Sequence, residues 1–238
     1  MRPAVNINGA LQPFKPRLAL PENTNKYYIR RESGGYNPGI KGNPKHEKLD
    51  ALSNCVSFAI GRFNEIGQYG ECRYLKPVNA ERFIQYAGGL EISQKPALGA
   101  CAVWKGGSSF DGSDGAGHVA IVEQINSDGS IITSESGWGD PRAFWITHRK
   151  KGNSANWGQK VSQYQFLGFI LNPAVTELPK GVEWVKVKII RRSGQSGFVN
   201  LPGVRIADRW FIQLRSLETM GAAKVSYNNL EGYPEILI

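Results

Sequence analysis

The sequence predicts an α+β fold, in which helices come first, an antiparallel sheet follows, and a small second domain ends the chain. One segment of helical spacing begins at Cys55 and precedes several short apolar runs, an order typical of α+β proteins. Twenty-eight glycines and 13 prolines indicate many turns and short strands. A polar break at residues 174–181 separates a second series of alternating residues, which suggests a linker between two domains.

The helical part is predicted from spacing and capping. Residues 1–26 contain prolines and polar residues and are predicted to form an extended arm, followed by a short strand at 27–31. Apolar residues recur at helical spacing after Asn54, a good N-cap, so a helix is predicted from Cys55 to about Tyr69. A second helix is predicted over 79–87, before two glycines.

The sheet is predicted from alternation and turns. Residues 100–104 form an apolar run, residues 118–125 and 130–135 read as a hairpin around Asp128-Gly129, and 166–171 form the last strand. This places one domain at 27–173. Residues 182–238 are predicted to be a small α+β or β-rich domain, with a strand at 182–190, a helix-like stretch at 211–220 and a strand near Ile236.

The charge predicts a polyanionic partner. The formal net charge is +9, with the basic excess ahead of Cys55 and a cluster at residues 149–151. Nucleic acid, anionic lipid and a teichoic-acid-bearing wall all qualify, and so does a solvated basic surface without a partner. Nucleic acid is the weaker choice, because no nucleic-acid-binding motif is visible. No apolar run is long enough to span a membrane, and the N-terminus lacks the apolar region of a signal peptide.

The cysteines and histidines do not have the spacing of metal ligands. The three cysteines make an odd number without a CxxC pair, which argues against a disulfide framework and a zinc site. We therefore predict neither a metal nor a cofactor. Cys72 and Cys101 are predicted to be structural.

Cys55 is the candidate nucleophile. In the first turn of a helix, backbone N–H groups and the helix dipole favour negative charge on sulfur. His118 begins the first strand of the predicted hairpin and Glu135 ends its partner strand, so both side chains lie at the same end of the hairpin. The alternatives are a small buried cysteine, a surface histidine and a solvated carboxylate.

Five runs together resemble a CHAP domain, a papain-like amidohydrolase family of the NlpC/P60 kind. The resemblance covers about residues 27–173. The runs are NCVSFAIGR at 54–62, PALGACAVW at 96–104, GHVAIV at 117–122, SESGW at 134–138 and FLGFI at 166–170.

The resemblance implies a role for each site residue. Cys55 would be the nucleophile, His118 the general base and Glu135 the residue that orients it, while the Asn54 side chain and the Cys55 backbone N–H would form an oxyanion hole. Many relatives have an asparagine shortly after the acidic residue, where this chain has Ser136-Gly137. Some relatives bind calcium before the cysteine, but residues 45–50 are basic enough that no calcium is predicted.

Four aromatic residues are candidates for the walls of a substrate groove, with core packing as the alternative for each. They are Trp104, Trp138, Tyr69 and Phe110.

The resemblance implies a peptidoglycan amidohydrolase, which would be an amidase or endopeptidase of the phage endolysin type and a monomer. Its expected partners are peptidoglycan and anionic wall polymers, with no nucleic acid or membrane. It would act from the host cytoplasm and reach the wall through a holin lesion. The alternatives are a non-catalytic wall-binding protein with a degenerate papain-like fold, or a papain-like toxin or deamidase acting on protein.

The C-terminal residues 208–222 resemble the stalk-type domain named after the copper amine oxidase N-terminus, with no copper ligands implied. This position suggests a wall-binding module, and a bacterial SH3-like binder is the alternative.

Overall fold

The structure, a computed structural model, describes residues 3–22, 25–28, 52, 54–70, 73–106, 116–138, 142–178, 180, 182–190, 195–206, 209–212, 224–228 and 233–237. The chain divides into two compact units. The larger unit is Lys15–Pro173, and the smaller unit combines Met1–Phe14 with Ala174–Ile238.

The described elements are one α-helix, one short 3-10 helix and a series of strands. The α-helix α1 spans Cys55–Gly67, and the 3-10 helix spans Ala80–Arg82. In chain order the strands are β1 (Pro3–Ile7), β2 (Ala10–Pro13), β3 (Ile92–Ser93), β4 (Cys101–Gly106), β5 (His118–Ile125), β6 (Ile131–Glu135), β7 (Trp145–Arg149), β8 (Tyr164–Ile170), β9 (Val175–Glu177), β10 (Glu183–Ile190), β11 (Ser196–Ile206), β12 (Arg209–Ile212), β13 (Lys224–Asn228) and β14 (Tyr233–Leu237).

Helix α1 forms where the spacing predicts it. The Asn54 side chain accepts a hydrogen bond from the Ser57 backbone N–H at 3.1 Å, a cap that contributes about 1 kcal/mol. The helix ends where Gln68 adopts a left-handed conformation. Its apolar face is fully buried, and the helix packs against β5 and β6. This packing fixes the first turn of the helix beside the sheet.

The larger unit contains an antiparallel sheet of six strands in the order β3-β8-β4-β5-β6-β7. The α+β class predicted from the sequence is confirmed. The predicted hairpin is β5–β6, and its turn contains Gly129 at a φ of 77°. The core on the sheet consists of buried apolar residues from several strands, namely Ala100, Ala102, Trp104, Ala120, Val122, Ile131, Trp157 and Phe169.

Two elements of the larger unit differ from the prediction. The helix predicted over 79–87 is only the 3-10 helix Ala80–Arg82 followed by turns, and the Asn79 side chain makes no capping hydrogen bond there. Without that cap a short segment cannot offset the cost of helix nucleation. Strand β7 was not predicted, because its mixed sequence WITHR has no apolar alternation and it lies at the edge of the sheet.

The N-terminal residues are paired, which corrects the prediction of an extended arm. Strands β1 and β2 form a hairpin around Asn8 and Gly9, whose φ values are 51° and 88°. Asn-Gly is the dipeptide that such tight turns favour, so this hairpin does have a signal in the sequence. Strand β9, inside the predicted linker, pairs with the other side of β1.

The remaining strands of the smaller unit form a sheet in the order β12-β11-β10-β14-β13, with β10 and β14 parallel. The predicted strands at 182–190 and near Ile236 correspond to β10 and β14. Residues 211–212, predicted as part of a helix, lie in β12, and 213–220 lie outside the described residues. In the part of the chain that the structure describes, none of the helices has the length and apolar character needed to cross a membrane.

Candidate active site

Cys55 is the first residue of α1 and lies at a cleft of about 660 Å³ in the larger unit. Its side chain is half-buried, so the sulfur combines access from the cleft with a position at the positive end of the helix. The cleft is lined from α1, the segment before β5, and β5 to β8, and the lining includes Asn54, Cys55, Gly117, His118, Glu135, Trp138, Trp145, Thr147 and Tyr164.

His118 and Glu135 meet at the open end of the β5–β6 hairpin. The His118 Nε2 lies 2.8 Å from the Glu135 Oε2. The His118 side chain is 13% exposed and that of Glu135 2% exposed, so water competes little for this contact. Cys55 and His118 both line the cleft, and Cys55 is one of the groups that raise the pKa of His118. Because Nε2 faces Glu135, Nδ1 is the ring nitrogen left for the sulfur.

The two partners of His118 decide its protonation. Burial lowers the pKa of His118, but hydrogen bonds to Cys55 and Glu135 outweigh burial and raise that pKa to about 9. Burial raises the pKa of Glu135, whereas His118 and the Arg149 charge lower it to about 2. At neutral pH the site therefore contains an imidazolium between a carboxylate and the Cys55 sulfur.

Arg149 and Thr133 complete the surroundings of Glu135, and the sequence did not predict them. The Arg149 Nη2 lies 2.8 Å from both carboxylate oxygens, and the Thr133 hydroxyl donates to Oε1 at 2.5 Å. The sequence analysis places Arg149 only in the basic cluster at residues 149–151. In a strand, every second residue faces the same side, so a strand at WITHR would have placed Arg149 on the same face as Trp145 and Thr147. That strand is not predicted from the sequence.

Asn54 lies at the cleft, as expected of an oxyanion-hole residue, but its side-chain oxygen caps the helix. Asn54 is buried, and its Oδ1 accepts from the Ser57 N–H. An oxyanion would therefore accept hydrogen bonds from the side-chain NH2 group of Asn54 and from the backbone N–H of Cys55, in the first turn of α1. This role stays a prediction.

The predicted groove residues separate into three groups. Trp138 lines the cleft and is 65% exposed. Trp104 is a correction: it is fully buried in the core, 5.8 Å from the His118 ring between centroids. Tyr69 is also a correction, because it packs on Phe63 and Tyr74 away from the cleft. Trp145 lines the cleft and was missed.

Two remaining predictions concern Phe110 and residues 45–50, where no calcium was expected. Both lie outside the described residues. Within the described ranges, no group of three His, Cys, Asp or Glu side chains could hold a metal ion.

A cysteine at a helix N-terminus, beside a histidine that a buried carboxylate holds, is an arrangement that can activate a thiol as a nucleophile. Residues 46–137 match the family model of the CHAP domain. The resemblance predicted from the five sequence runs is therefore confirmed over these residues.

The chain is also similar to named amidases. N-acetylmuramoyl-L-alanine amidase sle1 from two strains of Staphylococcus epidermidis is 33% identical over 105 residues, which are 44% of this chain and 29% of the relative. The match thus spans less than a third of the relative's length. The crystal structure of an N-acetylmuramoyl-L-alanine amidase from Staphylococcus aureus is 26% identical and covers 55% of this chain and 33% of its own, with a TM-score of 0.31.

The His118–Glu135 pair predicts a pH dependence of stability. The folded pKa of Glu135, about 2, lies below its ordinary 4.5, so its stabilising effect is present above pH 4.5 and is lost as pH falls toward 2. The folded pKa of His118, about 9, lies above its ordinary 6.5, so its effect is present below pH 6.5 and is lost as pH rises toward 9. We expect Glu135→Gln to lower the free energy of unfolding most between these limits.

Urea unfolding over this pH range measures the effect. The difference between wild type and Glu135→Gln should narrow toward both ends of the range. His148→Gln, an exposed change on β7, should retain the wild-type pH dependence. A constant difference at all pH values would contradict the proposed ionisation of the pair.

Proposed function

We propose that this protein is a peptidoglycan amidohydrolase that cleaves an amide bond of the wall peptide through a Cys55 thioester. The observation that supports it most is the open cleft where Cys55, His118 and Glu135 meet. The amidase relatives and the CHAP match favour peptidoglycan as the substrate class.

In the first half-reaction, the Cys55 thiolate attacks the carbonyl carbon of the amide. The resulting oxyanion accepts hydrogen bonds from the Asn54 side chain and the Cys55 backbone N–H. As the C–N bond breaks, the His118 imidazolium gives its proton to the leaving nitrogen, and an amine departs. Glu135 holds the imidazole in the orientation that this transfer needs.

In the second half-reaction, neutral His118 takes a proton from water, and the hydroxide attacks the thioester carbonyl. The C–S bond breaks, a carboxylic acid leaves, and the site returns to its thiolate–imidazolium pair. His118 carries the proton in each half-reaction, so the two reaction steps balance without a metal or cofactor.

Digestion of purified Gram-positive walls followed by mass spectrometry of the muropeptides tests the proposal. Release of peptides with a free N-terminal alanine from intact glycan indicates an N-acetylmuramoyl-L-alanine amidase. Cleavage within stem or bridge peptides indicates an endopeptidase. Walls left unchanged by wild-type protein from about pH 5 to about pH 9, a range in which Glu135 is ionised and His118 is still partly protonated, would contradict the proposal.

We also propose that the protein is an endolysin whose residues 182–238 bind the wall. The net charge of +9 supports attraction to anionic wall polymers. Cosedimentation of Cys55→Ala protein with walls tests this: binding should weaken as salt rises and should disappear when residues 182–238 are removed. Expression inside a host, with and without a holin, tests whether lysis needs a membrane lesion.

Trp138 is expected to contribute to substrate binding. Trp138→Ala should lower kcat/KM by about fivefold to tenfold, because an aromatic contact contributes about 1 kcal/mol. Steady-state turbidity assays measure this. Val161→Ala is a matched control, since Val161 is equally exposed at 65% but does not line the cleft. Equal kcat/KM values for both variants would remove Trp138 from the binding surface.

A further inference from the structure

We infer that Arg149 is the positioning residue of the site, which fixes the Glu135 carboxylate and thereby the His118 imidazole. This inference rests on the proposed function of Cys55. The starting observation is that the position after Ser136 is Gly137, which lines the cleft but offers no side chain to hold the pair. The support comes instead from the neighbouring strand β7.

The contacts occupy both oxygens of Glu135. Its Oε2 is shared by the His118 Nε2 and the Arg149 Nη2, each at 2.8 Å. Its Oε1 accepts from Arg149 through Nη2 at 2.8 Å and Nε at 3.1 Å, and from the Thr133 hydroxyl. A planar guanidinium that contacts both oxygens fixes the plane of the carboxylate, which a lysine ammonium cannot do.

Arg149 is itself held rigidly. Its Nη1 donates to the Trp157 carbonyl at 2.9 Å, and its guanidinium lies 4.8 Å from the centre of the Trp104 ring. Trp104 is in turn fixed by its Nε1, which donates to the Asn156 carbonyl at 3.0 Å. The Arg149 side chain is only 4% exposed, so its contacts are directed to Glu135 rather than to a substrate. We therefore describe it as a positioning residue.

The charged groups around the His118–Glu135 pair predict the effect of removing Arg149. Glu135 is faced by His118 from β5 and by Arg149 from β7, and His118 is faced by Cys55 from α1. Arg149 is one of the groups that lower the pKa of Glu135. Without Arg149 the carboxylate would gain a proton at higher pH and would lose its fixed plane at every pH.

Kinetics of Arg149→Met, Arg149→Lys and Glu135→Gln test the inference. We expect Arg149→Met to lower kcat roughly 10- to 100-fold with KM changed less than about twofold, because proton transfer depends on orientation. The acid limb of its pH–rate profile should move up by about one pH unit. Arg149→Lys should recover the acid limb but only part of kcat.

The combined variant separates positioning from general stability. If Arg149 acts through Glu135, then Arg149→Met should cause no further loss of kcat in the Glu135→Gln background. Independent, multiplicative losses would overturn the inference. So would an Arg149→Met protein whose melting temperature falls while kcat and the pH profile stay those of wild type.

Two further measurements keep the inference testable if Arg149→Met does not fold or if wild type does not cleave walls. Thr133→Val removes the hydroxyl that donates to Oε1 and accepts from the Arg149 Nε, and should lower kcat severalfold without a change in KM. Site-resolved alkylation of Cys55 by iodoacetamide needs no substrate. Its rate at acidic pH should fall in Thr133→Val and, where that protein folds, in Arg149→Met. Unchanged alkylation profiles would overturn the role of Arg149, whereas changed profiles without wall cleavage would contradict only the proposed function.

Discussion

Replacement of Cys55 by alanine is expected to reduce wall hydrolysis by on the order of 10⁴-fold or more, because loss of the nucleophile removes the covalent route altogether. The sulfur is half-buried at the cleft, and the substitution removes one atom from the first turn of α1. The free energy of unfolding should therefore change by less than about 1 kcal/mol. Turbidity loss of purified walls and urea unfolding measure the two quantities.

Cys101→Ala is the matched control, because it makes the same chemical change at a second cysteine. Cys101 is fully buried in β4, and burial raises the pKa of its thiol well above the usual range. The variant should lose about 1 kcal/mol of stability to the cavity but should retain the wild-type kcat. It should also retain iodoacetamide labelling at Cys55.

The outcomes distinguish the classes of function considered for this chain. Loss of lysis with retained wall binding in Cys55→Ala supports a thiol hydrolase. Lysis by Cys55→Ala at the wild-type rate would contradict the proposed mechanism. A wild-type protein that binds walls without cleaving them would indicate a non-catalytic binding protein, and modification of protein substrates alone would indicate a toxin or deamidase.

The parts of the site predicted from the sequence depend on local signals. The N-cap at Asn54 and the apolar spacing that follows it are contained in a few residues, so the start of α1 and the place of Cys55 could be predicted. The hairpin turn at Gly129 likewise fixes which ends of β5 and β6 meet, and hence that His118 lies beside Glu135.

The parts that were not predicted depend on pairings distant in sequence. Arg149 reaches Glu135 only because β7 joins the edge of the sheet beside β6, and the mixed sequence of β7 gives no signal of this. The place of Trp104 depends on which face of β4 the rings of β8 cover. An aromatic residue near a catalytic motif fits a groove and a core equally well by sequence alone.

A second large effect is expected from the ion pair that joins α1 to the sheet. Arg62 donates to Glu123 through Nε at 2.8 Å and Nη2 at 2.9 Å, and the Glu123 side chain is fully buried. Arg62→Met should lower the free energy of unfolding by about 3–5 kcal/mol, because the buried Glu123 side chain would be left without its guanidinium partner. Urea unfolding at neutral pH measures this loss.

We expect the pair to affect stability mainly because removal of one member leaves the other buried without a partner. The net attraction between the two charges is expected to be the smaller effect. Ser134 and the Arg17 backbone N–H also donate to Glu123, but two neutral hydrogen bonds cannot replace a guanidinium. The double variant Arg62→Met with Glu123→Leu should therefore recover much of the loss, because it removes the buried charge as well. Arg82→Met, an exposed arginine in the same unit, should change stability by less than about 0.5 kcal/mol. If the double variant were less stable than Arg62→Met, the unpaired buried carboxylate would not explain the loss, and the hydrogen bonds of Glu123 to Ser134 and the Arg17 backbone N–H would be the larger contribution.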